Sequence, residues 1–194
     1  MIYEILTAVI FIALLLLCYL VYSGLLTSIE VKVATPPITS GNFFYKFYQQ
    51  NYRKSGEAFR GLEKLPIKDK ILIGIYYDDP AVTPKDKTRS AIGIFISDEK
   101  NCDELKETMQ AVGFSHVHLP EVQKAVLSFF PHRTMFSILI AIARVYPRVK
   151  KFVMDKKLQA HPCMEVYQDS KMYFVSPLEE SDKFYVDEYK SSSL

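Results

Sequence analysis

The side chain in this sequence best placed to do chemistry is an acid flanked by apolar residues. In Cys163-Met164-Glu165-Val166-Tyr167 the alternation of a strand puts Glu165 on one face with Cys163 and Tyr167, and Met164 and Val166 on the other. Burial raises the pKa of such a carboxylate unless a cation or donated hydrogen bonds compensate it. Two roles are open: a reactive or ligand-pairing carboxylate, or a structural one that accepts hydrogen bonds from backbone or tyrosine hydroxyls at a sheet junction. Other constellations are poorer. His116 and His118 share a strand face, as do His161 and Cys163. Each pair supplies two ligands where a structural zinc site takes four and a catalytic one three, so neither a metal nor another cofactor is expected. Asp78-Asp79-Pro80 looks like an acidic dyad, yet Asp before Pro at a strand end is a turn former. The sequence has no Gly-rich phosphate loop and no G-x-S-x-G elbow. The basic run Arg144, Arg148, Lys150, Lys151, Lys156 and Lys157 could attract anionic lipid or nucleic acid. Interleaved Val145, Val149, Phe152 and Val153 mark the buried side of the same helix, so a solvated face without sequence-specific nucleic-acid binding is expected.

The elements that position these residues divide in two. Of 194 residues 49% are apolar, but unevenly so: nothing between Ile5 and Ile29 is charged, and Ile5 to Val21 reads ILTAVIFIALLLLCYLV. About 20 such residues at ~1.5 Å rise cross the ~30 Å hydrocarbon layer. Residues 1–28 are therefore read as a single-pass transmembrane anchor with its juxtamembrane segment. A cleaved signal would open on basic residues and end on a small-x-small site. Upstream of the run there is no Lys or Arg, whereas Lys32, Lys46, Arg53 and Lys54 follow it, so the N-terminus is expected in the lumen and the domain in the cytosol. The lack of an Asn-x-Ser/Thr sequon, and Cys18 inside the apolar run with only Cys102 and Cys163 beyond it, agree with a reducing compartment. Tyr and Phe, 13 of each, exclude a disordered chain, and three Cys exclude a disulfide scaffold.

In residues 29–189, alternation and turn residues predict strands over 29–33, 42–49, 71–77, 89–97, 114–119, 125–130, 164–168 and 171–176, the last two joined across Asp169-Ser170. Helices are predicted over 55–64 with Ser55 as N-cap, over 103–112 ended by Gly113, and over 133–146. Pro147 breaks this last helix or begins a new turn before helical spacing resumes over 148–158. Residues 184–189 read as an edge strand and 190–194 as disordered. Strand, helix, strand, strand occurs twice, which predicts an α+β domain made of a duplicated β-α-β-β unit with antiparallel sheets.

These blocks resemble a known family. Gly74-Ile75-Tyr76-Tyr77-Asp78-Asp79-Pro80 with Arg89-Ser90-Ala91-Ile92-Gly93 is similar to the first hairpin of the gyrase-inhibitor-like (SOUL and bacterial effector-binding) domain. Met164-Glu165-Val166-Tyr167 with Val175-Ser176-Pro177-Leu178 is similar to its last. Tyr22-Ser23-Gly24-Leu25-Leu26, Pro36-Pro37-Ile38, Tyr45-Lys46-Phe47 and Pro162 resemble one subgroup, the selective ER-autophagy (reticulophagy) receptors. The resemblance implies a single-pass endoplasmic reticulum membrane protein whose cytosolic domain is a binding module or adaptor. In ligand-binding members the glutamate of the similar E-x-Y strand lies in an aromatic-lined cleft and pairs with cationic or aromatic small ligands. Carried onto this sequence, that cleft is Glu165 lined by Tyr167, Tyr76, Tyr45 and Phe47, with cation–π attraction of about 0.5–2 kcal/mol per ring. Some relatives hydrolyse small reactive molecules, so a hydrolase with Glu165 as general base is the competing expectation, although the sequence has no Trp to supply their aromatic partner. The receptors bind ubiquitin-like autophagosome proteins through an aromatic-x-x-aliphatic strand in a long acidic tail. Phe59 to Leu62 and Phe136 to Leu139 fit the bare pattern but fall in predicted helices, and DKFYVDEYKSSSL has no aliphatic residue three positions beyond Phe184 or Tyr185. The resemblance thus implies ubiquitin-like autophagosome proteins as partners, while the tail strand through which the receptors bind them is not among these residues. A further alternative implied by the resemblance is recruitment of an AAA ATPase to DNA–protein crosslinks at the nuclear envelope.

Overall fold

In the computed structural model, which describes residues 1–97 and 103–192, the apolar N-terminal run, with Glu4 in its first turn, forms one helix, α1 (Ile2–Tyr22), with no buried residue. Among the described residues it is the one helix long and apolar enough to cross a membrane. Its end is sharply made. The Gly24 N–H donates to the Val21 carbonyl and the Leu25 N–H to the Leu20 carbonyl, both at 3.0 Å, the paired bonds of a Schellman closure. Gly24 sits at φ +106°, and a Cβ there would lie 2.7 Å from the Phe130 ring, so only glycine fits the turn. Cys102 lies outside the described residues.

Beyond the turn run β1 (Lys32–Ala34), β2 (Gly41–Gln49), α2 (Ser55–Glu63), β3 (Ile71–Tyr76), β4 (Arg89–Ser97), α3 (Asp103–Ala111), β5 (Ser115–Leu119), β6 (Ala125–Pro131), α4 (Met135–Asp155), β7 (Cys163–Gln168), β8 (Lys171–Pro177) and α5 (Asp187–Ser191). The strands form one eight-stranded sheet in the order β1-β6-β8-β7-β3-β4-β2-β5, antiparallel at each pairing. The duplication expected from sequence is visible in that order. The units β2-α2-β3-β4 and β6-α4-β7-β8 meet where β3 pairs with β7, so the two halves share a single sheet. Asp169 and Ser170, at φ 49° and 58°, turn β7 into β8 as a two-residue hairpin loop with both residues left-handed.

Each face of the sheet has its own core. Phe44, Leu72, Ile92, Ile94 and Ile96 pack with Leu62 of α2 and Met109 of α3, while Val126, Phe130, Met172 and Phe174 pack under Ile140, Ala141, Val145 and Val149 of α4. The opposite face carries Phe43, Tyr45, Ile73, Ile75, Phe95, Met164, Val166 and Val175, and Phe184 and Val186 of the C-terminal segment close over it.

Four local expectations are corrected. Pro147 lies inside α4, which runs unbroken for 21 residues. The missing N–H would have bonded the Ala143 carbonyl, and both residues are exposed, so water can serve that carbonyl while the buried stripe through Val145 and Val149 continues. Ser55 is not the cap of α2: Asn51 accepts from the Arg53 N–H at 3.0 Å and starts a 3-10 turn that leads into the helix. Residues 29–33 pair only from Lys32 onward, because Ile29 and Val31 pack sideways into the α4 core. Residues 184–189 make no edge strand. Ser181–Phe184 is a 3-10 turn and α5 follows, bringing Lys190 and Ser191 into a helix where disorder is expected; residues 193–194 lie outside the described residues. The run alternates like a strand, but Phe184 and Val186 serve as plugs for an apolar face.

Candidate functional site

Glu165 lies at the middle of the sheet, where the two halves meet. Its register partners are Gly74 on β3 and Phe174 on β8. Gly74 leaves room for a neighbouring ring: a Cβ there would come within 2.9 Å of Phe59, which reaches in from α2. Glu165 shares its face with Cys163 and Tyr167, as its alternation predicts, and is 5% exposed.

Three phenols donate to the carboxylate. Oε1 accepts from the Tyr146 hydroxyl at 2.6 Å, and Oε2 accepts from Tyr167 at 2.9 Å and Tyr76 at 3.2 Å. Burial holds the Glu165 carboxyl above the ordinary carboxylate range, while the three donated bonds pull the other way. The phenols are pushed well above their usual range, chiefly by burial and also by the adjacent carboxylate, so they remain donors. Burial pushes the Cys163 thiol up to about 12, which leaves it a poor nucleophile at neutral pH. The surrounding rings complete the closure. Phe59 lies 4.9 Å from the Tyr167 ring, Tyr52 4.8 Å from Tyr76, and Tyr146 meets Phe174 edge-on at 5.3 Å. The result is a polar knot that ties α4 to β3 and β7. A depression of about 240 Å³ lies beside it, lined by Glu63, Lys70, Leu72, His132, Tyr167 and the β7–β8 turn.

Of the five residues expected to line a cleft, Glu165, Tyr167 and Tyr76 come together, and Tyr45 and Phe47 do not. Tyr45 stands in one register row with Gly93, Ile73 and Val166, and Phe47 with Ala91, Ile75 and Met164, which places both on the face opposite Glu165. There Tyr45 donates to Glu188 of α5 at 2.8 Å, and Ser115 donates to the other oxygen of the same carboxylate at 2.8 Å. Phe47 lies 6.5 Å from Tyr77, which also packs against Tyr185 and Tyr189. Sequence reasoning missed Tyr146. Its signal was position: it follows buried Val145 on the helix expected to pack against the sheet.

The remaining candidates fall into structural roles. Asp79 accepts from the Ala81 N–H at 2.8 Å as a turn residue, while Asp78 takes the Arg89 guanidinium through two bonds of 2.7 and 3.0 Å. His116 pairs with Asn42 at 2.8 Å, and the His161 ring bonds the Tyr185 hydroxyl. Among the described residues no group of three or more His, Cys, Asp or Glu could hold a metal. Arg148, Lys150 and Lys151 are exposed on α4, with Lys150 on Asp79 at 3.0 Å and Lys151 on Asp155 at 2.8 Å. Arg144 instead turns inward and donates to the carbonyls of Gly24 (3.0 Å), Leu25 (2.6 Å) and Thr27 (2.9 Å).

Comparison with known proteins places the sequence. No family model matches the chain. It is 36% identical over 180 residues to testis-expressed protein 264 of Homo sapiens, covering 91% of this chain and 57% of that protein. It is also 36% identical over 174 residues to the Mus musculus homolog, covering 88% and 56%. The chain thus spans a little over half the length of these curated relatives. Among solved structures, a hydrolase from Listeria innocua superposes at a TM-score of 0.46 with 14% identity, covering 78% of this chain and 92% of that one. The C-terminal domain of EcmrR superposes at 0.48 with 13% identity, covering 79% and 98%. The chain is a sequence relative of testis-expressed protein 264, with an α+β fold of an apolar N-terminal helix and an eight-stranded antiparallel sheet.

Proposed function

We propose that the chain is a single-pass protein of the endoplasmic reticulum membrane, its N-terminus lumenal, and that its domain is a cytosolic protein-binding module of the reticulophagy-receptor type. The membrane part rests on the length and composition of α1. Its orientation rests on the basic residues that follow α1 while none precedes it. The receptor type rests on the 36% identity to testis-expressed protein 264. Binding is favoured over catalysis by one observation: the carboxylate that a hydrolase would use as base is buried and already accepts three tyrosine hydroxyls. A general base must reach the proton it removes, and here the carboxylate is buried behind the three rings that donate to it. Ubiquitin-like autophagosome proteins are the first partner class to test, and an AAA ATPase is the alternative.

A second reading has its own observation. The 240 Å³ depression ends on Tyr167, so rotation of that ring would open a path from solvent to Glu165 for a cationic or aromatic small ligand. One experiment separates the readings. The full chain, reconstituted in lipid nanodiscs, is titrated with ubiquitin-like autophagosome proteins and assayed for turnover of reactive esters and epoxides, with Glu165→Gln alongside. The module reading predicts saturable protein binding unaffected by Glu165→Gln and no turnover. Turnover that Glu165→Gln abolishes would replace it with the hydrolase reading.

A further inference from the structure

The first half of α4 is apolar on both sides. Toward the sheet it buries Ile140, Ala141 and Val145; away from it Met135, Phe136, Leu139 and Ile142 are 66, 42, 59 and 45% exposed. Their spacing of three, four and seven residues makes one stripe about 10 Å long at ~1.5 Å per residue. Leu26, 75% exposed, sits between the Leu25 and Thr27 carbonyls that Arg144 holds. Water is a poor neighbour for such a surface, and among the described residues nothing in the domain covers it.

The same stretch of α4 is fastened to the end of α1. The Ser23 and Thr134 hydroxyls share a hydrogen bond at 2.7 Å, and Arg133 donates to the Tyr22 carbonyl at 3.0 Å with its guanidinium 5.5 Å from the Tyr22 ring. Tyr19 meets Phe136 edge-on at 5.7 Å. Arg144, ten positions beyond Thr134, still reaches the Gly24 carbonyl. Leu20 and Leu25 pack into the core beneath α4. The exit of α1 is thus gripped at both ends of the apolar stripe. Tyr19 lies three residues, about 4.5 Å of helix, inside the α1 terminus, so its partner Phe136 is level with the last turn of the span.

We infer that the Met135–Phe136–Leu139–Ile142 face of α4 is immersed in the interfacial layer of the bilayer that α1 enters, so that the domain is seated on the membrane by an amphipathic helix and held there in one orientation. Exposed Lys150, eleven residues or about three turns beyond Leu139, continues the line of the stripe and then lies at the headgroup level. Seating of this kind fixes which face of the sheet looks away from the membrane and hence which surface can meet a partner.

The inference rests on α1 being a membrane anchor, and one set of probes tests the two separately. The sequence has no Trp, so single introduced tryptophans report without background. Leu139→Trp, Leu15→Trp and Val112→Trp are made in the full chain and reconstituted in phosphatidylcholine–phosphatidylserine vesicles with acyl chains brominated at shallow or deep positions. Ile142→Trp replaces Leu139→Trp if that variant does not fold by circular dichroism. Expected are deep-bromine quenching of Leu15→Trp, a blue shift with shallow-bromine quenching of Leu139→Trp, and neither for Val112→Trp. If Leu15→Trp is quenched while Leu139→Trp emits like Val112→Trp, the anchor stands and the seating is overturned. A blue-shifted but unquenched Leu139→Trp puts protein, such as a second copy, on the face and also overturns it. An unquenched Leu15→Trp removes the anchor and the inference together.

Discussion

Replacing Tyr146 by Phe removes a single oxygen from the knot at the sheet centre and leaves the ring on Phe174. The lost bond, 2.6 Å to Glu165, is the shortest of the three. A hydrogen bond to a charged group contributes about 1.5–3 kcal/mol, against about 0.5–1.5 kcal/mol when both partners are neutral. A chain of this size loses about 2–4 °C of Tm per kcal/mol, so Tyr146→Phe lowers Tm by about 3–12 °C where Glu165 is ionised. Tyr76→Phe, whose bond is 3.2 Å, costs less. The pH dependence follows from the raised Glu165 pKa. A carboxyl that binds its proton more tightly in the folded state favours folding at pH below its unfolded value, and this contribution is lost as pH rises through the raised folded value. Below the raised value Glu165 is protonated and its bonds are neutral ones, so Tyr146→Phe should cost about half as much there as where Glu165 is ionised. In Glu165→Gln the group's own contribution to the pH slope disappears. Thermal unfolding of the full chain in detergent, followed by circular dichroism from pH 4 to 8, reads all of this. A Tyr146→Phe cost that does not fall toward acid pH, or is smaller than that of Tyr76→Phe, would mean that the knot is not held by a donated bond to an ionised Glu165.

Two further substitutions test how α1 and α4 are built. Gly24→Ala forces a Cβ against the Phe130 ring at a φ of +106° and should destabilise the domain by about 1–3 kcal/mol in the same assay. Pro147→Ala restores an N–H to an exposed turn of α4 and should stabilise by about 1–3 kcal/mol; no gain in Tm would mean that the Ala143 carbonyl is not left open by the proline.

Where one element suffices, the sequence was legible. Residues 2–22 could only be an apolar helix, and the β3–β4 and β7–β8 hairpins follow from alternation bounded by turn residues. Glu165, Tyr76 and Tyr167 were recoverable as a group because two sit on one strand and the third on the strand beside it. Tyr45 and Phe47 were misplaced because their face is set by register through β4 and β3, and one residue of slip reverses it. Tyr146 was missed because its helix packs on the sheet from another part of the chain. Pro147 shows the same limit: the cost of proline is local, while the decision to continue the helix is made by the buried stripe beneath it.

The proposed function requires a domain displayed on the cytosolic side of a membrane by an uncleaved N-terminal span. Protease protection of an epitope placed after Leu194, in sealed microsomes, reads that display. Cytosolic display requires an epitope digested without detergent, on a chain that keeps its N-terminal residues and stays in the membrane pellet at alkaline pH. An epitope protected until detergent is added would put the domain in the lumen and contradict the orientation and the binding role proposed from it.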